Sequence, residues 1–79
     1  MNEPNQTAED LIGELFTYHA PNADTIPKYN AINEAAKAFA LVVHQNCPAS
    51  ADRTAAIRKI QEARMTANSA IANGGASYR

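Results

Sequence analysis

The fold is decided by residues 26–75, which read IPKYNAINEAAKAFALVVHQNCPASADRTAAIRKIQEARMTANSAIANGG. Apolar and small side chains recur through this stretch at three- and four-residue intervals, the spacing of a helix face. Because Pro48 cannot continue a helix, the stretch divides into one helix over about 26–45 and another over about 51–73. So short a connection places the two helices side by side and antiparallel. The sequence therefore predicts a long helical hairpin.

A shorter helix is predicted ahead of the hairpin, over about residues 8–17. Thr7 and Asp10 have the spacing of a capping box at its start. Pro21 biases the chain away from helical geometry, so the segment before the second helix is predicted to be a loop. The expected fold is all-α, a short N-terminal helix followed by the hairpin, in a single domain over residues 1–79.

The ends of the two long helices carry their own signals. Asp24 or Thr25 is expected to cap the second helix, and Ser50 the third. Gly74 and Gly75 supply the positive φ that ends the third helix. A flexible tail is expected over residues 76–79.

The packing face of each long helix follows from the same periodicity. The faces expected to meet are, in the second helix, Tyr29, Ile32, Ala36, Phe39, Ala40 and Val43 and, in the third, Ile57, Ile60, Ala63, Ala67, Ala70 and Ile71. The chain has 17 alanines, so the backbones can approach closely but few bulky groups fill a core. A domain this small usually needs a further source of stability. We therefore expect a homo-oligomer.

Composition excludes several classes of protein. Cys47 is the single cysteine, so no disulfide forms within one chain, and His19 and His44 are too far apart in sequence to suggest a metal site. No apolar leader or long apolar run occurs, so we expect neither a signal peptide nor a membrane span. The net charge is −1, and no helix carries clustered bases, which argues against binding to DNA or RNA polymers.

Catalysis is not expected. No spacing pairs a nucleophile with a base, neither of the glycine-rich phosphate loops occurs, and no cofactor motif is present. The chemically dense stretch is the loop and the start of the second helix, where aromatic faces can stack on a base and Lys28 can reach a phosphate.

A structural interpretation of the same residues stays open: Tyr18 and Tyr29 pack the first helix against the hairpin, and His19 caps a backbone group. In the third helix, Arg64 is by default a solvated side chain. Asn68 faces an alanine-lined groove, where a buried amide needs a partner.

Four segments, in order along the chain, resemble one family. They are FTYHAP (16–21), KYNAI (28–32), CPASADR (47–53) and EARMTANSAIA (62–72). The family is that of the phage anti-CBASS cyclic-nucleotide sponges, whose helical hairpin domain is shared with Thoeris anti-defence sponges. The resemblance implies a homo-hexamer that binds cyclic dinucleotides between protomers, and cyclic trinucleotides in separate pockets, without cleaving them. It would act in the cytoplasm of the infected bacterial host.

The resemblance also implies a set of ligand-binding residues. Tyr18 and His19 match the family's Tyr-His-x-Pro loop and would contact base and phosphate, while Arg64 and Asn68 are assigned to the second pocket. One position departs from the family: Asn33 stands where a basic residue is often found. Either Lys28 or a neighbour's Arg replaces that residue, or the affinity for dinucleotides is weak. The full set is Tyr18, His19, Pro21, Lys28, Asn33, Arg64 and Asn68.

The competing hypothesis is a structural or protein-interaction module, such as a small virion component or a helical antirepressor, that has no nucleotide ligand. It predicts that cyclic nucleotides leave the melting temperature unchanged. Binding to duplex DNA is a third hypothesis, which the acidic pI disfavours.

Overall fold

The computed structural model describes residues 7–75. Over that range it consists of three helices and no strand: α1 (Ala8–Leu15), α2 (Ile26–Asn46) and α3 (Ala51–Asn73). Asn33 near the start of α2 contacts Asn68 near the end of α3, and Arg53 near the start of α3 contacts His44 near the end of α2. The two long helices are therefore antiparallel, which confirms the predicted all-α hairpin. The predicted flexible tail, 76–79, lies outside the described residues.

The start of α1 has the predicted capping box. Thr7 Oγ1 accepts a hydrogen bond from the Asp10 amide at 3.1 Å, and Asp10 Oδ2 accepts one from the Thr7 amide at 3.4 Å. The helix ends at Leu15, two residues before the predicted end, because the backbone of Phe16 has already left helical geometry at φ −102° and ψ 6°. Thr17 Oγ1 donates to the Gly13 carbonyl and completes this turn.

The start of α2 corrects the predicted cap. Thr25 occupies the N-cap position, but its side chain makes no capping bond to the helix. Asn22 takes that role from three residues earlier: its Oδ1 accepts from the amides of Asp24 and Thr25 at 2.9 and 3.0 Å, and its carbonyl accepts from Ile26. This asparagine turn orders the two residues ahead of α2 through its side chain and holds the Ile26 amide through its carbonyl.

Two side chains at the start of α3 hold the connection between α2 and α3. Ser50 Oγ accepts from the Arg53 amide at 3.1 Å, as predicted for the N-cap of α3. The Arg53 guanidinium donates from Nη1 to the carbonyls of His44 and Cys47 at 3.4 and 3.3 Å. Because the last carbonyls of a helix have no intrahelical partner, these bonds tie the end of α2 to the first turn of α3.

Gly74 and Gly75 follow α3 with φ of 60° and 86°, the predicted helix-ending conformation. A residue with a Cβ is strained at such angles, so the glycines set the point at which α3 stops.

Burial is slight throughout the described part of the chain. Leu11, with 8% of its surface exposed, is the one described residue that counts as buried, and neither α2 nor α3 contributes another. The seam of the hairpin is half-buried, and the members of the predicted faces found there are Tyr29, Ile32, Ala36, Ala40, Val43, Ile57, Ile60, Ala67 and Ile71. The structure therefore has a seam and no enclosed core.

Three residues of the predicted faces lie outside that seam. Phe39 is 58% exposed, and Ala63 and Ala70 are exposed as well. Two helices that meet along a narrow seam cover little more than one stripe of each, so side chains at the edge of the stripe stay in solvent. As for membranes, no helix within residues 7–75 is both long enough and apolar enough to cross a bilayer.

Candidate functional site

A recess of about 430 Å³ opens where the loop after α1 meets the first turn of α2 and the C-terminal half of α3. Its volume is in the range of small-molecule sites. We call it the loop recess. It is lined by Leu15, Thr17, Tyr18, His19, Pro21, Tyr29, Met65, Asn68, Ser69, Ala72 and Asn73.

One face of α3 forms the floor of the loop recess. Met65, Asn68, Ser69, Ala72 and Asn73 follow the spacing i, i+3, i+4, i+7 and i+8, which places them on the same side of a helix. Residues 17–21 of the loop lie opposite this face. Four of the predicted ligand-binding residues therefore line one recess: Tyr18, His19, Pro21 and Asn68.

Tyr18 presents a free aromatic face. Its side chain is 82% exposed, so it does not pack α1 against the hairpin as the structural interpretation would require. Tyr29, which lines the same recess, is half-buried and fits that packing role better. An exposed ring beside a recess is the arrangement in which a nucleic acid base can stack.

The His19 ring is hydrogen-bonded to the backbone of α1 and also lines the loop recess. Its Nε2 lies 3.2 Å from the Glu14 carbonyl oxygen, and since a carbonyl can only accept, Nε2 is the donor. This bond attaches the loop to the C-terminal end of α1, as the structural interpretation expected. The ring nevertheless lines the loop recess, so the tie to the backbone leaves the rest of the imidazole available there.

Asn68 is incompletely hydrogen-bonded. Its Nδ2 donates to Asn33 Oδ1 across the hairpin at 3.4 Å, which is long for such a bond. Its Oδ1 is buried and has no hydrogen-bond partner among the described residues. An unpaired buried acceptor costs about 1–3 kcal/mol, so this amide would gain from a donor that the fold does not supply.

Asn33 and Arg64 line a different feature, a groove of about 400 Å³ between α2 and α3 that we call the polar groove. Lys37 follows Asn33 by one helical turn, and Gln61 precedes Arg64 by three residues, so all four polar groups reach the groove. The residues that line it are Asn33, Ala36, Lys37, Ala40, Ile57, Ile60, Gln61 and Arg64.

The predicted set thus divides between two places. Asn68 and Arg64, which the family resemblance groups in one pocket, line the loop recess and the polar groove respectively, although the Asn33–Asn68 bond connects the two. Lys28 is exposed near the start of α2 and lines neither.

The charge of the two features differs. Lys37 and Arg64 give the polar groove two cations. The loop recess has no lysine or arginine among the described residues that line it, and the imidazole of His19 is its one basic side chain.

A third feature, which we call the apolar groove, has a volume of about 540 Å³ and runs along the hairpin. It is lined by Ile32, Ala35, Ala36, Phe39, Ala56, Lys59, Ile60, Ala63, Arg64 and Ala67. Two of the three exposed residues of the predicted faces, Phe39 and Ala63, are here. The groove joins small side chains to one large ring that protrudes into solvent.

No ligand-binding role was predicted for Met65, Ser69, Lys37 or Gln61. For most of them, helical spacing from a predicted residue could have indicated that they share its surface. Met65 and Ser69 are at i−3 and i+1 from Asn68, and Lys37 is at i+4 from Asn33. What spacing could not give is which face of α3 the loop covers.

Comparison with protein families matches residues 8–72 to the family described as "Acb2/Tad1, hairpin domain". No significant match was found among curated proteins or among solved structures. The matched family is that of the anti-CBASS and anti-Thoeris sponges, so the resemblance read from the sequence is confirmed. Its members are phage-encoded, act in the host cell and bind cyclic oligonucleotide signals as sponge-type domains.

Proposed function

Because the chain belongs to the Acb2/Tad1 hairpin family, we propose that it binds and sequesters cyclic oligonucleotide second messengers without cleaving them. Cyclic dinucleotides are the first class of ligand, and cyclic trinucleotides the second. Capture of the messenger in the cytoplasm of the infected bacterium keeps it from CBASS effectors. The protein is thus a stoichiometric inhibitor of an immune signal and not an enzyme.

The observation that carries this proposal is the loop recess. It combines an exposed tyrosine face, an imidazole and an amide with a buried, unpaired oxygen in a volume of about 430 Å³. Stacking on an aromatic side chain contributes about 1–3 kcal/mol per base and tolerates different bases. The proposed assignment is that Tyr18 stacks on a base, His19 meets a phosphate, and Pro21 and Asn68 shape the floor and wall.

The proposed assembly is a homo-hexamer in which a second copy of the chain covers the apolar groove. Two features support self-association: Leu11 alone is buried among residues 7–75, and Phe39 protrudes from a groove otherwise lined largely by alanine and isoleucine. A partner of the same chain can bury these groups, and large apolar side chains are what homodimer interfaces bury. Pockets for the ligand would then lie between protomers.

The polar groove is proposed as part of the second pocket type. Arg64 and Lys37 place two cations beside Asn33 in this groove, which suits a ring that carries three phosphates. Lys37, one turn after Asn33, supplies the positive charge that the family often has at the Asn33 position. Lys28 is proposed to reach the phosphate of a ligand bound by a neighbouring protomer.

A thermal-shift panel tests the proposed function. A ligand present at about 100 times its Kd stabilises the folded state by about 2.7 kcal/mol, which raises the Tm of a domain this size by roughly 10–20 °C. The panel contains cyclic dinucleotides, cyclic trinucleotides and the linear dinucleotide pApA. We expect one or more cyclic ligands to raise the Tm and the linear one to have little effect.

The matched pair Tyr18→Ala and Phe16→Ala locates the binding. Both rings are more than four-fifths exposed, but only Tyr18 lines the loop recess. Loss of the ligand-induced shift in Tyr18→Ala and its retention in Phe16→Ala are the expected results. Equal effects of the two substitutions would show that the ligand does not bind in the loop recess. If no cyclic ligand shifts the Tm, the proposed function is rejected in favour of the protein-interaction hypothesis.

A further inference from the structure

The loop recess lacks the fixed positive charge that a phosphodiester ligand would meet. Recognition of a phosphate usually uses lysine or arginine, and neither lines this recess among the described residues. The polar groups available there are the phenols of Tyr18 and Tyr29, hydroxyl and amide groups, and the imidazole of His19. A source of positive charge on binding must therefore be found in this set or brought by another protomer.

The hydrogen bond to Glu14 decides which nitrogen of His19 is left for a ligand. Since the Glu14 carbonyl can only accept, Nε2 holds the ring's proton in the neutral state. Nδ1 then carries a lone pair, which repels a phosphate oxygen. Once Nδ1 is protonated, the ring keeps its bond to Glu14 and also becomes a charged donor toward the phosphate.

We infer that binding of a cyclic nucleotide in the loop recess takes up a proton at His19. This inference rests on the proposed function and adds the way in which the site balances the ligand's charge. Imidazole is the side chain that changes charge between pH 5 and 8, so the affinity for the ligand becomes dependent on pH. Affinity is highest on the acidic side and falls as the pH rises.

Among the described residues that line the recess, no other side chain can supply this proton linkage. The loop and α2 contribute the phenols of Tyr18 and Tyr29, and α1 contributes the Glu14 carbonyl. A phenol is not a group that ordinarily changes charge between pH 5 and 8. The α3 face contributes no titratable side chain.

Isothermal titration calorimetry in paired buffers measures the inference directly. Cyclic di-AMP and cyclic GMP-AMP are titrated into the full chain at pH 7.5, in phosphate and in Tris, whose ionisation enthalpies differ. We expect uptake of about one proton for each His19 that meets a phosphate. The affinity should fall by up to about tenfold per pH unit for each proton, measured from pH 7 to 8.5.

Two histidine variants make the assignment specific. His19→Gln keeps a donor for the Glu14 carbonyl but cannot titrate, so its binding should be weaker, free of proton uptake and independent of pH. His44→Gln replaces the histidine near the end of α2, which does not line the loop recess. This variant should take up as many protons on binding as the wild-type protein does. Binding of the wild-type protein without proton uptake, or unchanged uptake in His19→Gln, would overturn the inference while the proposed function stands. Failure of both dinucleotides to bind would reject the inference, and the proposed function would fall only if the cyclic trinucleotides of the thermal-shift panel failed as well.

Discussion

Among the described residues, Asn68 has a buried side-chain oxygen that lacks a hydrogen-bond donor. Within the described residues, its side chain makes one hydrogen bond, the long one to Asn33. Natural structures leave few buried polar groups unpaired, so such a group points to a partner that the isolated chain does not contain. The proposed partner is an N–H of the bound ligand or of a neighbouring protomer.

Replacing Asn68 by leucine tests this explanation. When a polar side chain is exchanged for an apolar one of similar shape and an unpaired group is removed, the change in stability is small or favourable. We expect the free energy of unfolding of the ligand-free protein to change by less than about 1 kcal/mol, as measured by urea denaturation at fixed protein concentration.

The same variant should lose affinity for the ligand. Asn30→Leu is a suitable control, because Asn30 is an exposed amide of α2 that lines none of the three surface features. A loss of more than about 2 kcal/mol in ligand-free Asn68→Leu would contradict the explanation, since it would mean that the amide is well satisfied in the folded chain.

At the scale of single residues, the sequence indicated the types of side chain at the candidate site better than it indicated which of them lie together. Tyr18, His19 and Pro21 are neighbours in sequence, so their proximity needed no fold. Asn68 joins them only because α3 runs back past the loop, and Arg64, one turn away on α3, lies instead at the polar groove. Residue spacing defines the faces of a helix, but which face the loop covers depends on tertiary packing.

At the scale of elements, the helix boundaries are set by local signals that can be read directly from sequence. The Thr7–Asp10 capping box, Ser50 at the start of α3 and the glycines after it all act within four residues of themselves. The cap of α2 was assigned wrongly because Asn22 acts through a turn and not from the N-cap position.

Ser50 should be the most sensitive of these positions. Its hydroxyl accepts from the Arg53 amide and so satisfies one of the first amides of α3. Ser50→Ala is expected to lower the free energy of unfolding by about 1 kcal/mol. Ser50→Asp should restore most of it, because aspartate also accepts from that amide and carries a negative charge at a helix N-terminus.

Denaturant unfolding of the three proteins at one concentration measures this difference. An alanine variant as stable as wild type would show that the Arg53 bonds to His44 and Cys47 hold the turn without the cap.

The faces of the elements were harder to predict than their ends. Phe39, Ala63 and Ala70 follow the helical repeat of the seam but lie at its edge. Periodicity assigns a broad apolar stripe, whereas two helices alone cover a narrow one. The difference between the two is the surface that, in our account, a second copy covers.

At the scale of the whole molecule, the proposed assembly accounts for how little apolar surface the described residues bury. With Leu11 alone buried across residues 7–75, the apolar surface that would stabilise a free monomer is instead exposed along the grooves. Burial of one Phe side chain contributes up to about 2 kcal/mol, and symmetric assembly repeats that contribution at every interface.

Phe39→Glu should therefore break the assembly. Sedimentation velocity of the wild-type protein is expected to give the mass of a multimer, and the variant should move toward the mass of a single chain with a lower Tm. Gln45→Glu adds the same charge to an exposed position of α2 outside the three surface features and should leave the mass unchanged. A wild-type protein that is monomeric and stably folded at micromolar concentration would contradict this part of the account.

The central claim is that the protein captures its messenger and leaves it intact. Equilibrium dialysis against a limiting amount of cyclic di-AMP or cyclic GMP-AMP, followed by heat denaturation and chromatography of the released nucleotide, tests both halves at once. We predict that free messenger falls in fixed proportion to added protein and is recovered uncleaved after denaturation. Messenger that stays free, or that returns as linear products, would contradict the account.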